Sequence, residues 1–193
     1  TNRAPRRANQ GQERIEKTVW LKLKLIADVG LVGLPNAGKS TFLSVNSNAK
    51  PKIADYPFTT LIPQLGIVEV DGHEIVMADI PGLISGAHLG KGLGIQFLGH
   101  IERCQAIIHI IDGNSANIIK DYKTIKNEVK KYEKLLDSKP TLVAISKADS
   151  VNDKKMEYNV EALKEYEPIL FVISSISRRG IKELLRAVQK IRD

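Results

Sequence analysis

Short, continuous runs of apolar residues alternate along the chain with longer segments in which apolar residues recur at helical spacing. The runs at 105–111 and 141–145 are typical of parallel strands that are covered on both faces of a sheet. In 117–137, Lys and Glu occupy the face opposite the apolar residues, which predicts an amphipathic helix. Strands that alternate with helices predict an α/β domain of three layers.

The same pattern predicts six strands and five helices. The strands are expected near residues 26–33, 65–71, 73–79, 105–111, 140–146 and 168–173. The helices are expected near residues 38–48, 95–103, 117–137, 154–166 and 180–192. Asp71-Gly72 lies between two apolar runs and predicts a tight hairpin turn, so one strand should run antiparallel to its neighbour.

The composition fits one ordinary domain. The chain has 193 residues, of which 42% are hydrophobic, enough for one core. No run approaches the ~20 apolar residues of a transmembrane helix, so we expect no membrane span. Cys104 is the only cysteine, so no intrachain disulfide can form. We therefore expect a cytoplasmic monomer in which Cys104 packs in the core.

The net charge of +7 is concentrated at the start of the chain, where residues 1–24 carry seven basic and two acidic residues. Residues 1–18 are predicted to be a basic linker from a missing N-terminal domain, and residues 19–193 the folded domain. Two interpretations of this basic segment stay open, a solvated linker and a contact to a phosphate backbone.

A phosphate-binding loop is predicted where a strand ends and a helix begins, because residues 33–41 match G-x-x-x-x-G-K-[ST]. Its backbone N–H groups should surround phosphates at the positive end of the helix dipole. Lys39 should reach the β- and γ-phosphates, and the Ser40 hydroxyl should bind Mg²⁺. The predicted loop consists of Gly33, Leu34, Pro35, Asn36, Ala37, Gly38, Lys39, Ser40 and Thr41. The predicted fold class is therefore α/β, a three-layer P-loop NTPase fold with a six-stranded, mostly parallel sheet and one antiparallel strand.

A metal ligand is predicted at the end of the strand near 73–79. That strand would bring the Asp79 carboxylate to the carboxyl edge of the sheet, where ligands bind in such folds. After Ile80 and Pro81 comes Gly82, whose N–H group is expected to be free for the γ-phosphate. Asp79 is therefore a predicted Mg²⁺ ligand.

A base pocket is predicted from residues 146–149, which follow the buried strand at 141–145 and read Ser146, Lys147, Ala148 and Asp149. GTPases hold Asn-Lys-x-Asp at this place, and the aspartate accepts hydrogen bonds from the guanine N1–H and 2-amino groups. The lysine stem covers the base. Ser146 replaces the usual Asn and is shorter, so we expect it to make fewer contacts to the base and the phosphate loop. Ser174, Ser175 and Ile176 follow the last strand and should offer N–H groups to the guanine oxygen.

The chain resembles the Obg (CgtA) family of bacterial GTPases over nearly its whole length. The most specific segments are 27–41, 50–66 with Asp-Tyr-Pro-Phe-Thr-Thr-Leu, 79–86, Gly-Leu-Gly at 92–94 and Phe-Leu-Gly-His-Ile-Glu-Arg at 97–103. The opening Thr-Asn-Arg-Ala-Pro-Arg-Arg is similar to the end of that family's glycine-rich N-terminal domain. The resemblance implies a switch protein that acts with the large ribosomal subunit and its RNA.

The resemblance also implies two switch segments, 49–63 and 79–95. Thr60 would be a second Mg²⁺ ligand, and Lys39, Thr60 and Gly82 would carry catalysis. The first switch would contribute Phe58, Thr59, Thr60, Leu61 and Ile62 to nucleotide binding. His88 is expected to be solvated rather than a catalytic base, while His100 and His109 should pack or cap.

Leu83 follows Gly82 where many signalling GTPases have the glutamine that orients water, so intrinsic turnover should be slow. Asn36 resembles the loop asparagine of GTPases that use K⁺, although it could merely cap the loop. The predicted activity is Mg²⁺-dependent hydrolysis of GTP to GDP and phosphate. Two alternatives stay open: an ATP-dependent small-molecule kinase, and a module that binds GTP or GDP without turnover.

Overall fold

The computed structural model describes residues 11, 13–19, 27–48, 52–53, 63–80, 103–130 and 139–192. Within these residues one sheet contains seven strands, in the order β2-β3-β4-β1-β5-β6-β7. The strands are β1 (Ala27–Val32), β2 (Lys52–Ile53), β3 (Gln64–Val70), β4 (His73–Asp79), β5 (Cys104–Asp112), β6 (Thr141–Ser146) and β7 (Leu170–Val172). All six predicted strands are present, and the two-residue β2 extends the sheet at one edge.

The sheet is parallel except for β3, which runs antiparallel to both β2 and β4. The predicted hairpin joins β3 and β4 through Asp71 and Gly72, with Val70 paired to His73. Both turn residues have positive φ, 48° and 81°, as a two-residue turn between twisted strands requires.

Four described helices flank the sheet: α1 (Lys39–Asn46), α2 (Ile118–Lys130), α3 (Asp153–Lys164) and α4 (Ile181–Arg192). The prediction for 117–137 is confirmed as far as Lys130, and its remaining residues lie outside the described part of the chain. The predicted helix at 95–103 also lies outside it, apart from its last residue.

The core has two sides, as the three-layer prediction requires. On one face of the sheet Phe42 of α1 and Leu184 of α4 are fully buried in the same cluster. On the other face Tyr122 of α2 and Leu163 of α3 pack over β5 and β6. One expectation is wrong: Glu128 does not lie on the exposed face of α2 but is buried. It lies one turn after the buried Ile125, which places it at the border of the helix's packed face.

The fold brings several loops to one edge of the sheet. β1 lies between β4 and β5 in the sheet. After β1 the chain forms β3 and β4 on one side of β1, and it then crosses over to form β5 on the other side. The carboxyl ends of parallel strands on either side of such a switch point form a crevice for ligands. The segments after β1, β4, β5, β6 and β7 all begin at this edge.

Candidate functional site

The loop between β1 and α1 follows the backbone path that its glycines allow. A Cβ atom at Gly33 would lie 2.2 Å from the carbonyl oxygen of Ile110, so only glycine fits beside β5. Gly38 has φ 98° and precedes α1 without a side-chain cap, and no acidic residue lies in the helix's first turn. The first N–H groups of α1 are therefore open to an anion, which the helix dipole favours.

Lys39 lies across this loop. Its Nζ donates hydrogen bonds to the carbonyl oxygens of Gly33 at 2.9 Å and Leu34 at 3.0 Å. Burial lowers the pKa of Lys39 from its ordinary value, and the charge of Asp79 partly offsets this shift. An anion held by the loop would stabilise the protonated ammonium group further. The electrostatics therefore favour a bound phosphate.

The predicted metal ligands Ser40 and Asp79 meet in the structure. Ser40 Oγ donates a hydrogen bond of 2.5 Å to Asp79 Oδ2. The two residues come from the first turn of α1 and the end of β4, where Leu31 pairs with Asp79. Asp79 Oδ1 is buried and has no hydrogen-bond partner among the described residues. A hydroxyl and a carboxylate with one unsatisfied oxygen, beside a phosphate loop, fit Mg²⁺, which binds few protein ligands together with phosphates and water.

In the described part of the chain, no group of three or more His, Cys, Asp or Glu residues is placed so that it could hold a metal ion.

Ser146, at the end of β6, reaches the phosphate loop in spite of its short side chain. Its Oγ lies 2.6 Å from the carbonyl oxygen of Ala37 and 3.1 Å from that of Ile111, and the residue is buried. A hydroxyl has one proton to donate, so the shorter contact to Ala37 is the stronger one. Ser146 therefore makes one hydrogen bond to the phosphate loop.

Lys147 and Asp149 begin the loop after β6, and each is held by a residue from a neighbouring strand end. Lys147 has φ 59°, and its Nζ donates to Asp112 Oδ2 at 2.6 Å. Asp112 ends β5, and its other oxygen accepts a hydrogen bond from the Asn114 N–H group. Asp112 was not among the predicted site residues, although its place at the carboxyl end of a buried strand could have indicated it.

The Asp149 carboxylate is oriented by Ser174, whose Oγ donates to Asp149 Oδ1 at 2.5 Å. Ser174 is fully buried and its Oγ accepts a bond from the Ser177 N–H group. Its own N–H group donates to the carbonyl oxygen of Arg179. The Ser174 N–H group is therefore already paired, and its hydroxyl is the group that contacts Asp149; the N–H groups of Ser175 and Ile176 as partners of the guanine oxygen stay a prediction.

Several predicted residues lie outside the described part of the chain. They are Phe58, Thr59, Thr60, Leu61 and Ile62 of the first switch, Pro81 and Gly82 of the second, and Leu83, His88 and His100. The catalytic roles of Thr60 and Gly82 stay predictions.

The remaining candidates for chemistry pack in the core as predicted. His109 is buried and stacks on Tyr122, with ring centroids 5.7 Å apart. Burial lowers the pKa of His109 to about 3 and raises the pKa of the Cys104 thiol to about 12. Both side chains are therefore neutral at physiological pH. Within the described residues, no helix has the length and apolar character of a membrane span.

Comparison with a family model agrees with this geometry. The model described as 50S ribosome-binding GTPase matches residues 28–147, which is more than half of the chain. The match includes the phosphate loop, Asp79, Asp112 and Lys147.

Solved structures of two GTPases share the fold. A variant of Era from Aquifex aeolicus bound to GDP and AlF4⁻ aligns with a TM-score of 0.66 and 24% identity, covering 86% of this chain and 56% of Era. The G domain of the FeoB iron transporter of T. maritima aligns with a TM-score of 0.65 and 18% identity, covering 86% of this chain and 98% of that domain. Era in complex with MgGDPNP and a segment of 16S ribosomal RNA aligns with a TM-score of 0.63 and 23% identity, covering 88% of this chain and 57% of Era. The chain thus spans a little over half the length of Era and has the P-loop GTPase fold.

Proposed function

Because this chain belongs to the family of 50S ribosome-binding GTPases, we propose that it is an Obg-type molecular switch that acts in assembly of the large ribosomal subunit. The family hydrolyses GTP, so the chain is a GTPase domain. One observation carries the proposal at the site: the phosphate loop, the Ser40–Asp79 pair and the Lys147–Asp149 loop meet at one edge of the sheet. The specific switch role rests on the sequence resemblance to the Obg family.

We propose that nucleotide binding exchanges hydrogen bonds within the phosphate loop for contacts to the phosphates. Lys39 would leave the carbonyl oxygens of Gly33 and Leu34 for the β- and γ-phosphates, while the N–H groups at the start of α1 receive the phosphate oxygens. Ser40 and Asp79 would hold Mg²⁺, which offsets the charge that develops on the phosphates. Thr60 and Gly82 would complete the site around the γ-phosphate.

Catalysis would then consist of positioning and charge stabilisation while water attacks in line. Leu83 offers no hydrogen bond to that water, so intrinsic turnover is expected to be slow. The same residue favours the second candidate function, a module that holds GTP or GDP without turnover. Measurable phosphate release would exclude that candidate.

Guanine selection is assigned to Asp149. Its carboxylate, fixed through Oδ1 by Ser174, would accept from the N1–H and 2-amino groups of guanine, which adenine does not present in that arrangement. Lys147, paired with Asp112, would lie along the base with its aliphatic stem. This assignment disfavours the ATP-dependent kinase.

The partner we propose is the large ribosomal subunit and its RNA. Support comes from the family description and from the Obg resemblance, and Era is known in complex with 16S ribosomal RNA. Co-sedimentation of the protein with purified large subunits tests this. Binding that is stronger with a non-hydrolysable GTP analogue than with GDP is expected; equal binding with both nucleotides, or none, would contradict the switch role.

A further inference from the structure

Helix α2 presents a row of lysine side chains to solvent that the nucleotide site does not use. Lys120, Lys123 and Lys130 are exposed, and together with the exposed Asn127 they recur at intervals of three and four residues. At about 100° per residue this spacing places all four on one side of the helix. We call Lys120, Lys123 and Lys130 the lysine stripe.

The charges of the lysine stripe are not neutralised by the carboxylates around it. None of its three ammonium groups forms an ion pair with a described carboxylate. The two acidic residues of α2 are turned elsewhere: Asp121 accepts a hydrogen bond from Ser115, and Glu128 is buried. The side of α2 that carries the lysine stripe is therefore positive.

The neighbouring helix does not continue the positive surface, because its charges balance. Lys154, Lys155 and Lys164 of α3 are balanced by Asp153, Glu157 and Glu161, and the exposed Glu165 follows the helix. Glu167, which follows Glu165, forms an ion pair with Lys126, with 2.8 Å between Oε1 and Nζ. Of these two adjacent helices α2 therefore carries the net positive charge, and a polyanion is attracted to α2 more than to α3.

We propose that the lysine stripe binds the phosphate backbone of an RNA strand, and this deepens the proposed function, on which it rests. Ten residues of helix separate Lys120 from Lys130, about 15 Å. A helical strand places a phosphate about every 3.4 Å of its axis, so a more extended single strand places fewer than four phosphates along this length and can meet the three lysines. Lysine ammonium groups bind phosphate as point charges without reading sequence.

The surroundings favour RNA over an anionic membrane. The apolar residues Ile118, Tyr122 and Ile125 of α2 are buried in the core, so the helix has no free apolar face to insert between lipids. Tyr166 lies beside the stripe, 38% exposed, with its ring 4.5 Å from Lys123 Nζ. A half-exposed aromatic ring next to a cationic row suits the stacking of an unpaired base.

The test measures binding of the full chain to a short fluorescein-labelled single-stranded oligouridine RNA as a function of salt. The variant combines Lys120→Gln, Lys123→Gln and Lys130→Gln. Each lost contact should reduce the log–log salt slope by about 0.7, and the three together should weaken binding roughly tenfold to a hundredfold at 0.1 M salt. Changing the same residues to Arg should preserve binding, because the charge is kept.

The matched control combines Lys154→Gln, Lys164→Gln and Lys190→Gln, three exposed lysines on α3 and α4. It removes the same net charge and should leave the affinity for the RNA and the log–log salt slope nearly unchanged. Equal losses in both variants would overturn the proposal, since net charge alone would then explain the effect. Unchanged RNA binding in the stripe variant, with loss of binding only to phosphatidylserine vesicles, would also overturn it.

Failure of the lysine-stripe proposal can be distinguished from failure of the proposed function. If the stripe variant keeps oligouridine binding while the wild type shows GTP-dependent binding to large subunits, only the lysine stripe is refuted. If the wild type does not bind large subunits, the switch role is refuted whatever the oligonucleotide shows. Because the lysine stripe lies outside the nucleotide site, GTP hydrolysis by the stripe variant should equal that of the wild type, which confirms folding.

Discussion

Ser146, at the end of β6, is joined to the phosphate loop by one side-chain hydrogen bond. Its hydroxyl lies 2.6 Å from the Ala37 carbonyl oxygen. Ser146→Ala should therefore weaken GDP binding by about 0.5–1.5 kcal/mol, the worth of one hydrogen bond. Titration with labelled GDP measures this, with Ser44→Ala on the exposed side of α1 as control. An affinity equal to that of the control would show that this contact does not support the site.

Asp149 is predicted to select guanine. Asp149→Asn should turn the preference towards xanthine nucleotides, because the edge of xanthine presents the opposite hydrogen-bonding pattern at the 2-position. Each unpaired buried group costs about 1–3 kcal/mol, so GDP affinity should fall roughly five- to 150-fold. Titrations with labelled GDP and XDP measure both effects, with Asp153→Asn as control. If Asp149→Asn keeps its full preference for GDP, guanine is read elsewhere.

Asn36 is the residue on which K⁺ dependence would rest. It lies exposed in the phosphate loop with φ 62°. A K⁺ ion beside the phosphates would offset charge that Leu83 does not stabilise, so GTP hydrolysis should be faster in KCl than in NaCl at matched ionic strength. The Asn36→Ala variant should lose this difference. Equal wild-type rates in the two salts would leave Asn36 as a residue that only shapes the loop.

The sequence predicts those residues of the site whose role is set by a local motif. Lys39 and Ser40 follow from the spacing of the loop, and Asp79 from its place at a strand end. Asp112 was missed because its role depends on Lys147, which reaches it only through the pairing of β5 with β6. The Ser174 amide was misassigned for the same kind of reason, since its partner Arg179 is fixed by a turn.

At the scale of elements, α2 is joined to the segment between α3 and β7 by Tyr122, Lys126 and Glu167. Tyr122 donates to Glu167, and Lys126 donates to both. Burial opposes ionisation of Glu167, but the bonds from Lys126 and Tyr122 outweigh it and hold the pKa of Glu167 below its ordinary value of 4.5. Its ionised form therefore stabilises the folded state above that value, and the contribution is lost as pH falls through the lower, folded-state pKa.

Glu167→Gln should accordingly lower the free energy of unfolding by about 1 kcal/mol at neutral pH, a modest effect because the pair is partly exposed. The difference from wild type should shrink as the pH falls below 4.5. Urea unfolding across this pH range measures it, with Glu165→Gln as the control. A difference that stays constant with pH would refute the role assigned to this carboxylate.

Elements with their own apolar pattern were predicted well. The six strands and the hairpin at Asp71-Gly72 needed only periodicity and turn chemistry. β2 was not predicted because two residues, Lys52 and Ile53, carry no periodic pattern and form a strand only by pairing with β3. The burial of Glu128 is not predicted, because helical periodicity does not determine how far neighbouring elements cover the edge of a helix's apolar face.

At the scale of the whole molecule, the position of β1 decides where the site lies. β4 and β5 flank β1, so the metal ligand, the phosphate loop and the base loop reach one crevice from different parts of the chain. The pattern of alternating strands and helices predicts such a crevice. It does not predict that Tyr166 lies beside Lys123 of α2, which depends on how the segment after α3 packs against α2.

Phosphate release is the measurement that tests the central claim most directly, with GTP and ATP compared side by side in Mg²⁺ and in EDTA. The wild type should release phosphate slowly from GTP, only with Mg²⁺, and not from ATP. Lys39→Ala and Ser40→Ala should each nearly abolish this activity, because each removes charge or metal contact at the transferred phosphoryl group. Preference for ATP, turnover in EDTA, or near-normal rates in either variant would contradict the account.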